Sequence, residues 1–90
     1  MSRTFVRVEG IEGAPMKDES ILYVPSAEAY CVLNPPAAAL WEALSSPKSE
    51  DELAALLCER FEGASPDTAL SDVKTVLAEM GEMSIVREVD

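Results

Sequence analysis

The sequence predicts an α+β domain in which a three-stranded antiparallel sheet is followed by three helices. Residues 4–33 contain short runs rich in β-branched and aromatic side chains, which are typical of strands. Residues 35–80 carry apolar side chains at helical spacing, and each run follows an N-cap signal. This order of elements indicates a small winged-helix-like fold. Because 90 residues suffice for one core, we expect one domain over residues 1–90.

Three strands are predicted in the first third of the chain. Thr4–Val8 alternates between β-branched and polar residues, Ser20–Val24 ends at a proline, and Glu28–Leu33 follows, as expected for strands. The glycines and the proline of residues 10–18 indicate an irregular loop there. Pro25–Ala27 is short enough to connect the second and third strands as a hairpin.

The third strand has apolar side chains on both of its faces. Ala29, Cys31 and Leu33 share one face, and Tyr30 and Val32 share the other, because strand side chains alternate. The strand contains no Pro or Lys to protect it, and a small sheet must have exposed edges. We therefore expect this strand to be covered on both sides or to be left open for a partner.

The first two helices have clear start signals. Asn34 precedes two prolines, a pattern typical of an N-cap and the first helical positions, and the helix is expected to end before Pro47. Ser49 and Glu52 form a predicted capping box for a second helix that stops near Gly63. The buried stripes are expected to be Leu40, Trp41 and Leu44 in the first helix, and Leu53, Leu56, Leu57 and Phe61 in the second.

The third helix is predicted after Ser65 and Pro66, which repeat the cap-then-proline signal. Gly81 stands where a left-handed C-cap is expected. Residues 84–89 form either a short strand or an ordered tail. The core stripe is expected to be Leu70, Val73, Leu77 and Met80, at spacings of 3, 4 and 3.

The composition excludes several classes of function. Seven basic and 17 acidic side chains give a net charge of −10, which repels nucleic acid and anionic lipid. No segment is long and apolar enough to span a membrane, and the N-terminus lacks the apolar run of a signal peptide. We therefore expect a cytoplasmic protein with neither a nucleic-acid nor a membrane partner.

The chemistry-bearing residues do not form a recognisable catalytic or metal site. The chain has no histidine, and its two cysteines, Cys31 and Cys58, are too isolated for a zinc site and are expected to be buried thiols. The four glycines are scattered, so they form no phosphate loop. We expect no enzyme activity, no cofactor and no metal.

Residues 21–44, ILYVPSAEAYCVLNPPAAALWEAL, resemble the hairpin and first helix of PqqD-like proteins. The resemblance continues through the capping box and the run Glu52-Leu53-x-x-Leu56-Leu57-x-x-x-Phe61. It ends with the spacing of Asp72, Val73, Leu77 and Met80. It covers roughly residues 20–83 and departs at Gly81-Glu82-Met83, where the family usually has glycine-leucine.

This resemblance implies a non-catalytic adaptor that binds the leader segment of a ribosomally made precursor peptide. The adaptor would present the leader to a separate enzyme, a leader peptidase in lasso-peptide biosynthesis or a radical enzyme in the system that named the family. In this family the leader adds as an extra strand beside the third strand and lies in the groove next to the third helix.

Side chains of the last helix suit such a groove. Asp72, Val76 and Glu79 form a stripe beside the core stripe. An apolar centre flanked by two acids suits a peptide with an apolar anchor and a nearby Lys or Arg. The predicted peptide-binding residues are Ala29, Tyr30, Cys31, Val32, Leu33, Asp72, Val73, Val76, Leu77 and Glu79.

The sequence leaves two alternative functions, a DNA-binding regulator and a protein–protein adaptor. A winged-helix DNA-binding regulator would need a basic third helix, whereas residues 68–80 offer Lys74 against Asp72 and Glu79. A winged-helix protein–protein adaptor could use the same strand edge to form a dimer. Gel-shift and light-scattering measurements distinguish these alternatives from a peptide receptor.

Overall fold

A computed structural model describes residues 3–17, 19–25 and 27–89. The strands are β1 (Thr4–Arg7), β2 (Gly13–Met16), β3 (Glu19–Val24), β4 (Ala29–Leu33), β5 (Lys48–Ser49) and β6 (Val86–Val89), and the helices are α1 (Pro35–Ala43), α2 (Glu50–Arg60) and α3 (Pro66–Glu82). A three-stranded antiparallel sheet followed by three helices confirms the predicted α+β, winged-helix-like class. Asp18 and Ser26, assigned above to a loop and a hairpin connection, lie outside the described residues.

The strands form two separate sheets. β2, β3 and β4 pair in that order, and β5, β1 and β6 form the second sheet. Strand β1 pairs with β6, which follows the last helix, and with β5, which lies between α1 and α2; Phe5 is opposite Glu88 in β6 and Thr4 is opposite Ser49 in β5. The first predicted strand therefore does not share a sheet with the hairpin, and the C-terminal segment is a strand.

The prediction of a loop over residues 10–18 is wrong at its centre, because strand β2 forms there. Gly13 and Pro15 are poor strand formers, but β2 lies antiparallel to β3, with Gly13 opposite Leu22 and Pro15 opposite Ser20. A Cβ atom at Gly13 would lie 2.5 Å from a methyl carbon of Leu22. Pairing with β3 thus overrides the local preference, and the glycine allows the close approach.

The helices pack over the inner face of the hairpin sheet. The Asn34 side chain accepts from the Ala37 N–H at 3.0 Å, and the predicted capping box at Ser49 is present. Cys31 and Cys58 are half-buried, whereas the sequence predicted buried thiols. No helix among the described residues is long and apolar enough to cross a membrane. The most deeply buried large side chains are Leu22, Leu40, Leu44, Leu53, Val73, Met80 and Ile85.

Helix α3 does not end at Gly81 as predicted. The helix continues to Glu82, and Ser84 takes the left-handed conformation with φ of 60°. The N–H of Ser84 donates to the Gly81 carbonyl at 3.0 Å, and the N–H of Ile85 donates to the Met80 carbonyl at 3.1 Å. This is a Schellman cap, which commonly places an apolar contact between the residues equivalent to Ile85 and Met80. Both of these side chains are buried, and their burial sets where the helix ends.

Candidate functional site

Strand β4 lies at one end of its sheet. It pairs with β3 on one side, with Cys31 opposite Leu22, and no strand among the described residues pairs with its other side. The connecting turn closes with the Ala27 N–H donating to the Val24 carbonyl at 3.2 Å. Glu28 ends that turn with φ of 50°, so β4 begins one residue later than predicted.

Hydrogen-bond alternation determines which backbone groups of β4 point outward. The Tyr23 N–H donates to the Glu12 carbonyl at 3.1 Å, so the polar groups of Tyr23 face β2. In antiparallel sheets these groups alternate along a strand, so those of Leu22 face β4 and bond its partner Cys31. The N–H and C=O groups of Tyr30 and Val32 therefore point away from the sheet, and an incoming strand can reach them.

The opposite edge of the same sheet is less suited to accept a strand. By the same alternation, the N–H and C=O groups of Ala14 face its partner Ile21 in β3. The polar backbone groups of Gly13 and Pro15 therefore point outward from the sheet. Proline has no N–H, so this edge lacks a donor at its third residue. Proline at the solvent side of an edge strand is a common means of preventing strand addition. Of the two edges, β4 alone keeps an outward N–H at every second residue.

A cleft of about 130 Å³ lies between β4 and α3. Helix α3 is positioned by its buried stripe. A capping box stabilises its start, where the Ser65 N–H donates to the Thr68 hydroxyl at 3.2 Å. Among the described residues that line the cleft, Glu79 alone is charged. The lining residues are Cys31, Val32, Leu33, Asn34, Ala37, Val76, Glu79, Met80 and Met83.

The structure brings half of the predicted site residues to this cleft. Cys31, Val32 and Leu33 line it from the strand, and Val76 and Glu79 line it from the helix. Ala29 and Tyr30 lie on the same strand and are exposed.

The other predicted residues of α3 lie elsewhere. Val73 and Leu77 are buried in the core, where they pack the helix against the rest of the domain. Asp72 is exposed and is not among the residues that line the cleft. The acidic side of the cleft therefore comes from Glu79.

Four lining residues were not predicted to belong to the site. Asn34 was identified as a helix cap and Met80 as a core residue, and they line the cleft as well. Met83 is the C-cap residue of α3, three residues beyond Met80, and Ala37 lines the cleft from α1. Helical spacing from Val76 to Met80 and Met83 was the signal available in the sequence.

Two larger open clefts, each of about 470 Å³, lie away from the β4 edge. One contains Lys17, Glu42 and Arg60, and the other contains the ion pair between Arg3 and Glu88, with an N–O distance of 2.7 Å. This pair raises the pKa of Arg3 and lowers that of Glu88. Both clefts are lined by charges of both signs, whereas Glu79 is the charged residue at the cleft beside β4.

Comparisons with known proteins identify a family and a solved structure of similar fold. A family model described as coenzyme PQQ synthesis protein D (PqqD) matches residues 19–86. Among curated proteins, none matches this chain. A solved structure, TbiB1 in complex with the TbiA(beta) leader peptide, superposes with a TM-score of 0.80 at 17% sequence identity, covering 91% of this chain and 94% of that chain. At this identity the structural likeness concerns the fold.

Proposed function

Because this chain belongs to the PqqD family, we propose that it is a non-catalytic adaptor that binds the leader segment of a ribosomally synthesised precursor peptide. The leader adds as a strand to the outer edge of β4. The TbiB1 structure, whose fold this chain shares, contains a leader peptide. The observation that carries the proposal is the open β4 edge, with its outward backbone groups beside the cleft of α3.

Backbone bonding supplies affinity in this mode of binding. Tyr30 and Val32 together offer two N–H donors and two C=O acceptors to an added strand. Each backbone hydrogen bond contributes about 0.5–1.5 kcal/mol net, and these bonds do not depend on the sequence of the peptide. Selection among peptides must therefore come from side-chain contacts.

The cleft selects the side chains of the leader. Because side chains alternate along a strand, every second residue of the bound leader faces the cleft between β4 and α3. Half-buried Val76 and Met83 offer this residue an apolar surface, and Glu79 at the same cleft favours a Lys or Arg nearby. We assign peptide contact to Ala29, Tyr30, Cys31, Val32 and Leu33 on the strand and to Val76 and Glu79 on the helix.

The remaining predicted residues have supporting roles in this proposal. Val73 and Leu77 fix the position of α3 from within the core. Asp72 is exposed and adds a negative charge about two turns before Glu79, where it attracts basic residues of a longer leader. The adaptor delivers the bound leader to a separate processing enzyme, for which we propose a leader peptidase of the lasso type.

Fluorescence anisotropy of a labelled leader tests this proposal. The probe is the leader segment of a short precursor peptide identified by searching the reading frames beside this gene, and a scrambled peptide of the same composition is the control. We expect a Kd of about 1 µM or lower, corresponding to about −8 kcal/mol, and weaker binding of the control. We also expect unchanged masses of both components after incubation. Absence of binding, or a chemically altered peptide, would contradict the proposal.

A further inference from the structure

The large apolar side chains that remain exposed among the described residues lie on one face of the β2–β3–β4 sheet. Met16 is 55% exposed, Tyr23 40%, Tyr30 75% and Val32 61%. The opposite face of this sheet is covered by the helices, because Leu22, Val24 and Leu33 belong to the core. We call the exposed side, with half-buried Ile21 at its centre, the outer face.

Strand pairing brings these side chains into one continuous surface. Ile21 lies opposite Val32, and Tyr23 lies opposite Tyr30; directly paired residues share a face. The rings of Tyr23 and Tyr30 meet edge to face, with their centroids 5.4 Å apart. A contiguous exposed apolar surface of this kind is uncommon on a monomer and marks an interaction site.

The charges around the outer face restrict what can cover it. Glu19 lies on this face beside Met16, its partner in β2. Glu12 precedes β2, Glu28 lies in the β3–β4 turn, and both are exposed, whereas Lys17 is the basic residue within positions 12–33 of the sequence. A second copy of this chain would bring like charges together, which opposes association. A protein with an apolar patch bordered by Lys or Arg would complement this surface.

The outer face is continuous with the peptide-binding edge. Val32 directs its backbone outward in the plane of the sheet and its side chain onto the outer face. A strand added beside it would place every second side chain on that same face. The bound leader would therefore enlarge the apolar surface next to Tyr30 and Val32.

From these observations we propose that the outer face, extended by the bound leader, is the docking surface for the enzyme that processes the leader. The partner is a folded protein that carries an apolar patch bordered by Lys or Arg. This inference rests on the proposed function, because the leader forms part of the surface. Binding of leader and enzyme must then be reciprocal, each increasing the affinity for the other by the same factor.

Two variants alter the outer face on the central strand β3 and leave the outward backbone groups of β4 in place. Tyr23→Thr removes an aromatic ring from the central strand and keeps a β-branched residue, and Glu19→Lys reverses a charge. Glu59→Lys makes the same charge change at an exposed position of α2 and is the matched control. Circular dichroism melting checks that each variant is folded.

Two measurements are made on each variant. Anisotropy gives the affinity for the labelled leader. Biolayer interferometry gives the affinity for a purified leader peptidase identified in the same search of neighbouring reading frames, with and without leader. We expect leader affinity within about twofold of the unchanged protein in every variant. We expect enzyme affinity to fall about tenfold in Tyr23→Thr and Glu19→Lys, a loss of about 1.4 kcal/mol, and to be unchanged in Glu59→Lys.

The possible outcomes separate this inference from the proposed function. Equal enzyme affinity for Tyr23→Thr, Glu19→Lys and the unchanged protein would overturn the docking surface while leaving leader binding intact. An enzyme affinity that does not respond to leader would overturn the composite surface. A dimer of the protein alone, seen by light scattering and lost in Tyr23→Thr, would show that a second copy covers this face and would also overturn the inference. Absence of leader binding by the unchanged protein would instead contradict the proposed function.

Discussion

Replacing Val32 by proline should weaken leader binding while leaving the domain folded. The Val32 N–H points away from β3, so proline removes no hydrogen bond from the sheet, and proline is tolerated at such edge positions. Val32 is also largely exposed, at 61%, so little core packing is lost. The substitution therefore acts on the vacant edge rather than on the fold.

The size of the effect follows from the backbone groups at this edge. Val32→Pro removes one of the two outward N–H donors, and its ring occupies space that the added strand needs. The loss of one backbone bond costs about 0.5–1.5 kcal/mol, and more where its acceptor on the leader becomes buried without a partner. We expect a total of about 1–2 kcal/mol, which raises the Kd about five- to thirtyfold.

Cys31→Pro is the matched control, one residue earlier on the same strand. In the unchanged protein the N–H of Cys31 faces β3 and donates to the carbonyl of Leu22, a fully buried residue. Proline there leaves a buried acceptor without a donor, at a cost of about 1–3 kcal/mol of folding stability. We expect Cys31→Pro to lower the urea midpoint clearly and Val32→Pro to change it little.

Leader anisotropy and urea unfolding, measured on both variants, complete this test. Unchanged leader affinity in Val32→Pro would refute strand addition at β4. A large loss of stability in Val32→Pro, equal to that in Cys31→Pro, would refute the assignment of outward and inward groups along this strand.

Three further predictions concern single side chains. Glu79→Gln should weaken binding of a Lys- or Arg-bearing leader about two- to fivefold, as expected for an exposed ion pair of about 0.4–1 kcal/mol. Asp72→Asn should weaken it less, and anisotropy at low and high salt measures both effects. Ser49→Ala removes the α2 cap and should cost about 1 kcal/mol, which lowers the melting temperature by about 4–8 °C in calorimetry. Because the Arg3 guanidinium lowers the pKa of Glu88 from 4.5, this pair should stabilise the fold above pH 4.5 and lose its effect as the pH falls through the lower folded pKa. Glu88→Gln should therefore give a weaker dependence of the urea midpoint on pH between 6 and 3, and an unchanged dependence would contradict this assignment.

The helices could be predicted from the sequence because their signals are local. Asn34, Ser49 and Ser65 each satisfy backbone groups within three residues of themselves, so nearby residues suffice to place the helix starts. The end of α3 could not be predicted in this way. It depends on the burial of Ile85, which places the left-handed residue at Ser84 rather than at Gly81.

The sheets could be predicted only in part because strand pairing depends on distant residues. The N-terminal strand β1 was recognised, but its partner β6 lies about 80 residues away, with Phe5 opposite Glu88. Strand β2 was missed because Gly13 and Pro15 locally favour a loop. The same Pro15 limits strand addition at the β2 edge, and this effect depends on the hydrogen-bond alternation of the sheet rather than on the local sequence.

The candidate site was predicted best on the strand and least well on the helix. The alternation of apolar residues in β4 correctly separated Tyr30 and Val32 from the inner face. On α3, a shift of less than one helical turn decides whether a side chain enters the cleft or the core. Val76 and Glu79 line the cleft, whereas Val73 and Leu77 point inward, because the helix rotation is fixed by contacts with α2 that the sequence does not specify.

Amide hydrogen exchange on β4, measured with and without leader, tests the central claim most directly. In the free protein we expect fast exchange at Tyr30 and Val32, whose N–H groups point outward, and slow exchange at Cys31 and Leu33, whose N–H groups bond β3. Saturation with leader should slow exchange at Tyr30 and Val32 and leave the amide of Gly13 on β2 unchanged. Bound leader without protection at Tyr30 and Val32, or with protection at Gly13 instead, would contradict the account.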